Sequence, residues 1–265
     1  MKKDAKPSRP RKPAVAARVR PARRDNLFET QRAPGPASFL FGAEVVRVFD
    51  DMVTRSVPLY GTVQQLMAAM VLRCRAPGPI HDLGCSTGAT LMRLIEQAEG
   101  PLDLVGIDSS DDMLAACRRK LAPVLGEHRL TLHRADLEDT DALPVEASGA
   151  VVLSLVAQFL RPLARQRLIA AVAQRLRPGG CLVLLEKTVQ QGATINAHFI
   201  EGYHRFKLAN GYNQTEVARK REALENRLIP FRPEENLAML REAGFAEAEI
   251  FFTWLNFQGY LALKA

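Results

Sequence analysis

Long apolar runs are missing from this 265-residue chain. The longest, Val151 to Leu160, is interrupted by Ser154 and Gln158. A bilayer core needs about 20 consecutive apolar residues, so no membrane span is expected. Cysteine is also scarce. Cys74, Cys85, Cys117 and Cys181 are scattered, with no CxxC pair. That spacing excludes a zinc ribbon and, in a chain of this size, a disulfide framework. A reducing cytoplasm is therefore the expected compartment. No internal repeat, secretory apolar core, metal-ligand cluster or Ser-His-Asp constellation presents itself. What remains is 47% hydrophobic and 25% charged, the composition of an ordinary soluble globular protein.

Positive charge is unevenly placed. Residues 1–24 hold ten Lys or Arg and one acid, Asp4, so +9 of charge sits in this segment. The chain's net +7 then leaves −2 for residues 25–265. The segment is rich in Lys, Arg, Pro and Ala and has almost no large apolar groups. It cannot bury enough surface to offset its ordering entropy. It reads as a disordered basic tail, and a nucleic-acid-binding arm is the sharper alternative.

From residue 25 the chain reads as one folded domain. Apolar spacing predicts helices over 43–53 and 62–73, separated by Pro58. Strands are then expected at 79–83, 103–108, 129–134, 148–155 and 181–187. Helices 88–98, 110–121 and 162–176 lie between them. Such alternation predicts an α/β fold with a mostly parallel sheet covered on both faces. Arg177-Pro178-Gly179-Gly180 reads as a helix stop before the strand at 181. Residues 190–227 carry no strand signal and read as a helical insertion, one long or two medium helices. A last helix over 235–244 precedes a closing hairpin, 248–254 and 257–264.

The stretch 81-HDLGCSTGAT-90 carries the first chemistry. A strand, a glycine turn and a helix start invite a ligand close to the backbone. The second glycine of the dinucleotide pattern G-x-G-x-x-G is absent, because Ser86 stands there, and no P-loop follows. The turn, with Gly84, Cys85 and Ser86, therefore suits an amino-acid end better than a pyrophosphate. Asp108, at the end of the second strand, is placed to accept from two ribose hydroxyls. Asp136, after the third strand, is placed to accept from an exocyclic amine such as adenine's. Amino acid, ribose and adenine together describe S-adenosylmethionine. Singly the signals are weaker: Asp108 alone also reads as a helix N-cap, and Asp136 alone as a loop acid. Cys85 reads as a small turn residue and His81 as a packing group. His198 and His204, on the insertion, are candidates to face a pocket. Trp254 and the Phe251-Phe252 pair read as core.

DLGCSTG, GIDSS, ADLED and LRPGG resemble the class I S-adenosylmethionine-dependent methyltransferases, implying a three-layer Rossmann-like fold with seven strands. FDDMVTRSVPLYG, FKLANGYNQTEVARKREALEN and WLNF are similar to the carboxy-S-adenosylmethionine synthases of bacterial tRNA wobble-uridine modification. That resemblance runs from about Asp25 to Lys264. It implies conversion of S-adenosylmethionine and prephenate to carboxy-S-adenosylmethionine and phenylpyruvate, in a homodimer, with no direct tRNA contact required. The insertion is where the dimer contact is expected. The resemblance assigns Tyr60 to the sulfonium, Gly84, Cys85 and Ser86 to the amino-acid end, Asp108 and Ser109 to ribose, and Asp136 and Leu137 to adenine. Arg221 is assigned to the new carboxylate, and Arg221 with Tyr60 carries the catalytic role. Ser154 falls among the ligand-binding positions. Ser109 and Ser154 stand where the family has asparagine, which keeps a hydrogen-bonding group but loses reach. Arg205 stands where an acid is expected. The competing readings are a methyltransferase acting on a small molecule or RNA, and a nucleic-acid-binding protein with a vestigial enzyme fold.

Overall fold

The computed structural model describes residues 24–25, 43–224 and 227–265. The basic-tail reading of residues 1–24 lies outside these, apart from Arg24, and so do residues 225–226 of the KREALEN segment.

Two helices open the described fold, α1 (Ala43–Ser56) and α2 (Tyr60–Cys74). Alternation then runs β1 (Ile80–Leu83), α3 (Ala89–Gln97), β2 (Asp103–Asp108), α4 (Asp111–Leu121), β3 (Arg129–Arg134) and β4 (Ser148–Ser154). A short 3-10 turn, Ala157–Phe159, leads to α5 (Pro162–Arg175) and β5 (Leu176–Lys187). Helices α6 (Ala193–Ala209), α7 (Gln214–Leu224) and α8 (Pro233–Glu242) precede the hairpin β6 (Glu247–Trp254) and β7 (Phe257–Leu263).

The strands form one sheet in the order β3-β2-β1-β4-β5-β7-β6. β1 to β5 pair in parallel, and β7 runs antiparallel to both β5 and β6. The central strands are buried along almost their whole length, which is why Ile80, Leu83, Leu104, Ile107, Val152 and Leu184 read as continuous apolar runs. One core layer packs α5 and α8 on one face of the sheet, with Leu168, Ile169 and Leu240. The other packs α2, α3 and α4 on the reverse face, with Met67, Leu94 and Leu121. Fully burying one such side chain stabilises the fold by about 1.5–3 kcal/mol. Strand order reverses between β1 and β4, and a crevice opens at the carboxyl ends of such strands.

Two expectations change in detail, and a third resolves between its alternatives. The strand expected at Cys181 begins at Leu176, and Arg177–Gly180 is looped out of its register. Ser148 pairs with Leu176, yet Ala150 pairs with Cys181. Gly179, at φ +73°, takes the left-handed turn. The loop is pinned to the end of β7 by Gly179 N–H to Lys264 O and Lys264 N–H to Gly180 O. Of the two forms expected for the insertion, the structure takes the pair of helices. Asn210 ends α6, Gly211 turns at φ +84°, and Asn213 caps α7. The Asn213 side chain accepts from Glu216 N–H at 2.9 Å, and Glu216 accepts from Asn213 N–H at 2.7 Å, a reciprocal capping box. Finally, Trp254, Phe251 and Phe252 are half-buried. They lie on the edge strand β6, which has a neighbour on one side only, so their rings pack against the core without entering it.

Candidate functional site

The crevice at the strand ends is a cavity of about 680 Å³, within the ~300–1,000 Å³ of small-molecule sites. Tyr60, Gly84, Cys85, Ser86, Asp108, Ser109, Asp136, Leu137, Ser154 and Arg221 all lie on its wall. His204 also lies on the wall, whereas His198 is exposed on α6 and is not part of it. His81 is buried away from the cavity, with Nδ1 2.8 Å from Ser148 Oγ. Burial, the largest influence, pushes its pKa down to about 4, so the ring is a neutral packing group.

The first wall is built largely from backbone. Gly84 adopts φ +77°, and a Cβ there would stand 2.5 Å from Val156 Cγ2. Gly88 adopts φ +79°, and its Cβ would stand 2.7 Å from Cys117 Sγ. Both positions therefore require glycine. Ser86 N–H donates to Asp108 Oδ2 at 3.0 Å, and Ser110 N–H donates to Oδ1 at 2.9 Å. Asp108 thus clamps the turn after β1 to the end of β2, while each oxygen keeps a lone pair for a ligand. Its pKa is raised by burial, against the lowering effect of the backbone donors. Ser110, not Asp108, caps α4, accepting from Met113 N–H. Asp136 and Ser109 are exposed at the rim, and Leu137 is buried beneath. The neighbouring Cys117, and then burial, push the pKa of the Cys85 thiol up. It is a turn residue and not a thiolate.

Two buried groups stand behind this wall without having been marked by the sequence. Asp82 is 1% exposed, and neither carboxylate oxygen has a hydrogen-bond partner. Burial and Asp108 push its pKa up to about 7. Gln64, on α2, donates to Ser154 Oγ at 3.0 Å and accepts from Thr90 Oγ1 at 2.8 Å. Because Ser154 Oγ accepts there, its own proton is free to point into the cavity.

Helix α1 closes the top with Phe49, Met52, Val53 and Ser56. Asp50, on the same helix, accepts from Thr87 Oγ1 at 2.6 Å and from Lys120 Nζ at 2.8 Å. The RSVP segment then turns at Leu59, φ 52°, so that Tyr60 is the first residue of α2 and faces the cavity. Burial first, and then Asp50 and Asp82, raise the Tyr60 pKa. Its phenol stays protonated.

The second wall is side-chain chemistry from β5, α6 and α7. Lys187, Tyr203, His204, Lys207, Lys220 and Arg221 line it. Of these the sequence marked Arg221 and His204. Lys220 is 7% exposed and has a carboxylate partner, Asp25, at 3.7 Å. Lys220 also donates to Ser56 Oγ at 2.8 Å, and Tyr212 OH donates to Asp25 Oδ2. Arg55 ties this cluster to the α6–α7 turn through Asn210 O at 2.8 Å. Lys207 is 5% exposed. Burial, then Lys220, Lys187 and Arg221, lower its pKa to about 7. Burial, then Lys207, Arg221 and Lys187, lower His204. Arg221 is exposed at the cavity rim.

Comparison with known proteins agrees with this arrangement. Residues 80–180 match a family described as "Methyltransferase domain". A solved S-adenosylmethionine-dependent methyltransferase from Archaeoglobus fulgidus aligns with TM-score 0.56 at 14% identity, over 82% of this chain and 99% of its own. An O-methyltransferase family protein from Burkholderia thailandensis aligns with TM-score 0.61 at 17% identity, over 84% of this chain and 61% of its own. These show the fold. Sequence relatives go further. The carboxy-S-adenosyl-L-methionine synthase of Methylococcus capsulatus is 45% identical over 85% of this chain and 93% of its own length. That of Desulfotalea psychrophila is 40% identical over 91% and 98%. With that identity over nearly the whole length of each relative, the chain belongs to the carboxy-S-adenosyl-L-methionine synthase family, enzymes built on a methyltransferase fold.

Proposed function

We propose that this enzyme converts S-adenosylmethionine and prephenate to carboxy-S-adenosylmethionine and phenylpyruvate. The product would donate the carboxymethyl group for 5-carboxymethoxyuridine at the tRNA wobble position, in the cytoplasm. The reading that fits the first wall is a nucleoside with an amino-acid end. Gly84 leaves room for a close approach, Asp108 keeps acceptors for a diol, and Ser154 keeps a free donor.

The observation that carries the choice of reaction is Arg221 on the wall of the same cavity. A methyltransferase gains nothing from a guanidinium beside a sulfonium, since like charges repel. An anion between them makes both favourable, and the guanidinium fork matches a carboxylate with two parallel hydrogen bonds. The reaction balances as follows. Prephenate loses carbon dioxide and hydroxide as its ring becomes aromatic. The S-methyl group loses a proton, leaving a carbanion that the sulfonium stabilises. That carbanion adds to carbon dioxide, and hydroxide takes up the proton as water. The protein's tasks are to hold the partners together and exclude water. No protein base is required, and His204, lowered by burial and then by its cationic neighbours, is a poor proton acceptor.

We further propose a homodimer that uses α6, where Ile195, Ile200 and Leu208 are exposed at 56%, 38% and 37%. Mass spectrometry of a reaction with both substrates tests the function. One added carboxyl group on the nucleoside, with phenylpyruvate released, is the expected result. Unchanged S-adenosylmethionine would overturn the reading in favour of a methyl acceptor. Gel filtration with light scattering tests the dimer.

A further inference from the structure

Among the described residues, two cations in the cavity have no counter-ion. Lys207 is 5% exposed, and Lys187 is half-buried at the end of β5. Their ammonium groups stand 4.6 and 4.8 Å from the centre of the same ring, Tyr203. Neither makes an ion pair among the described residues. The contrast with Lys220 is informative, because that lysine is equally buried and is supplied with Asp25. Where the fold needs only to neutralise a lysine here, it does so with a carboxylate. Beside Lys187, Thr188 is 1% exposed, its hydroxyl has no hydrogen-bond partner among the described residues, and it lines the same cavity. An unspent donor and two unpaired cations on one wall describe an anion subsite.

Charge fixes the class of ligand. S-adenosylmethionine brings a sulfonium and a zwitterionic end, and so adds a positive charge. Arg221 supplies one fixed cation, and Lys187 with Lys207 supplies a second locus. A monocarboxylate satisfies one of these only. Resting on the function proposed above, we propose that Lys187, Lys207 and Thr188 hold the carboxylate that the second substrate keeps. Arg221 then takes the carboxyl group that moves, and the site selects a dicarboxylate.

The subsite makes a prediction separate from turnover, because phenylpyruvate carries only the retained carboxylate. Calorimetric titration of phenylpyruvate into protein loaded with S-adenosylhomocysteine reads it directly. Kd should rise at least ~10-fold in Lys207→Met and change less than ~3-fold in Arg221→Ala. S-adenosylhomocysteine should bind each variant as it binds the wild type, which certifies the fold. In the wild type, phenylpyruvate affinity should fall as pH rises above 7, where Lys207 loses its proton in the free protein. The double variant Lys187→Arg/Lys207→Arg should bind with a flat profile up to pH 9, because a guanidinium keeps its charge and burial lowers Lys187 as well as Lys207. The other groups facing Lys207 are Lys220, Arg221, His204 and Tyr203, and a slope surviving in the double variant would assign the titration to one of them. That result overturns the proposal, as does unchanged affinity in Lys207→Met or no phenylpyruvate binding by the wild type. The function reading fails separately. If the wild type forms no carboxylated nucleoside while phenylpyruvate titrates as described, the reaction is wrong and the anion subsite stands.

Discussion

The two walls of the cavity are built on different principles. The strand-end wall is backbone held in place by a few short-range contacts: Gly84 and Gly88 in left-handed turns, and Asp108 bonded to Ser86 and Ser110. The helical wall is a group of cationic side chains whose positions depend on contacts far along the chain. Tyr212 meets Asp25 across 187 residues, and Lys220 sits on the same acid. The first wall suits the part of a ligand shared by many enzymes of this fold. On the function proposed above, the second is where a particular reaction is chosen. If so, damage to the first should cost nucleoside affinity, and damage to the second should cost the carboxyl transfer.

The largest separation is expected at Arg221. Arg221→Ala should reduce carboxy-product formation by about 10²-fold or more, since two charge-assisted hydrogen bonds are lost. S-adenosylmethionine affinity, measured by calorimetry, should stay within a few-fold. Equal losses in both would erase the distinction between the walls. Asp108→Ala is the mirror experiment. It removes the acceptor proposed for the ribose and leaves Ser86 N–H and Ser110 N–H without their partner, so nucleoside affinity should fall by about 10²-fold. Phenylpyruvate binding should be less affected.

The walls also differ in how far the sequence reveals them. Strand, turn and helix follow one another within a dozen residues at 80–90, and topology sends the ends of β1, β2 and β3 to one edge. Local pattern therefore locates Gly84, Asp108 and Asp136. Lys207 gives no such signal. In RFKLANG it looks like any solvated charge on a helix, and its burial is decided by β5, α7 and Tyr203. Arg221 became visible only through the resemblance of the surrounding segment, since Arg219 and Lys220 beside it read the same way. The looped-out Arg177–Gly180 was hidden for a related reason: a helix stop and a bulge use the same residues, and only pairing with Ser148 and Lys264 tells them apart.

A smaller effect concerns stability. Burial and cationic neighbours hold Lys207 at about 7 and burial holds Lys220 at about 8, against an ordinary 10.5. Between these values and 10.5 the unfolded chain binds protons that the folded chain does not. Stability from these two groups therefore rises with pH across that window. Below pH 7 the penalty of the buried charge on Lys207 is fully present. Lys207→Met should accordingly stabilise the ligand-free protein at pH 6 by about 1–3 kcal/mol in urea unfolding, and the gain should shrink toward pH 10. A gain of this kind in a variant that binds its ligand less well is what a functional charge predicts. A loss would mean that Lys207 has a structural partner after all.

The smallest effect probes whether the strand-end wall is as local as it looks. Gln64 is 2% exposed and does not line the cavity. It nevertheless holds Ser154 at the end of β4 and takes the proton of Thr90 on α3. Replacing it with leucine keeps the volume and removes both bonds. Thr90 Oγ1 then lacks its acceptor, and stability should fall by about 1–3 kcal/mol. The Ser154 hydroxyl, freed from its donor, can turn to satisfy itself elsewhere. Nucleoside affinity should then drop about three- to tenfold, while the ratio of carboxy-product to bound nucleoside stays unchanged. That outcome makes Gln64 a long-range positioning residue within a wall otherwise set by its own backbone. If stability falls but affinity does not, Ser154 takes no part in holding the nucleoside, and the shorter side chain at that position is compensated by the turn alone.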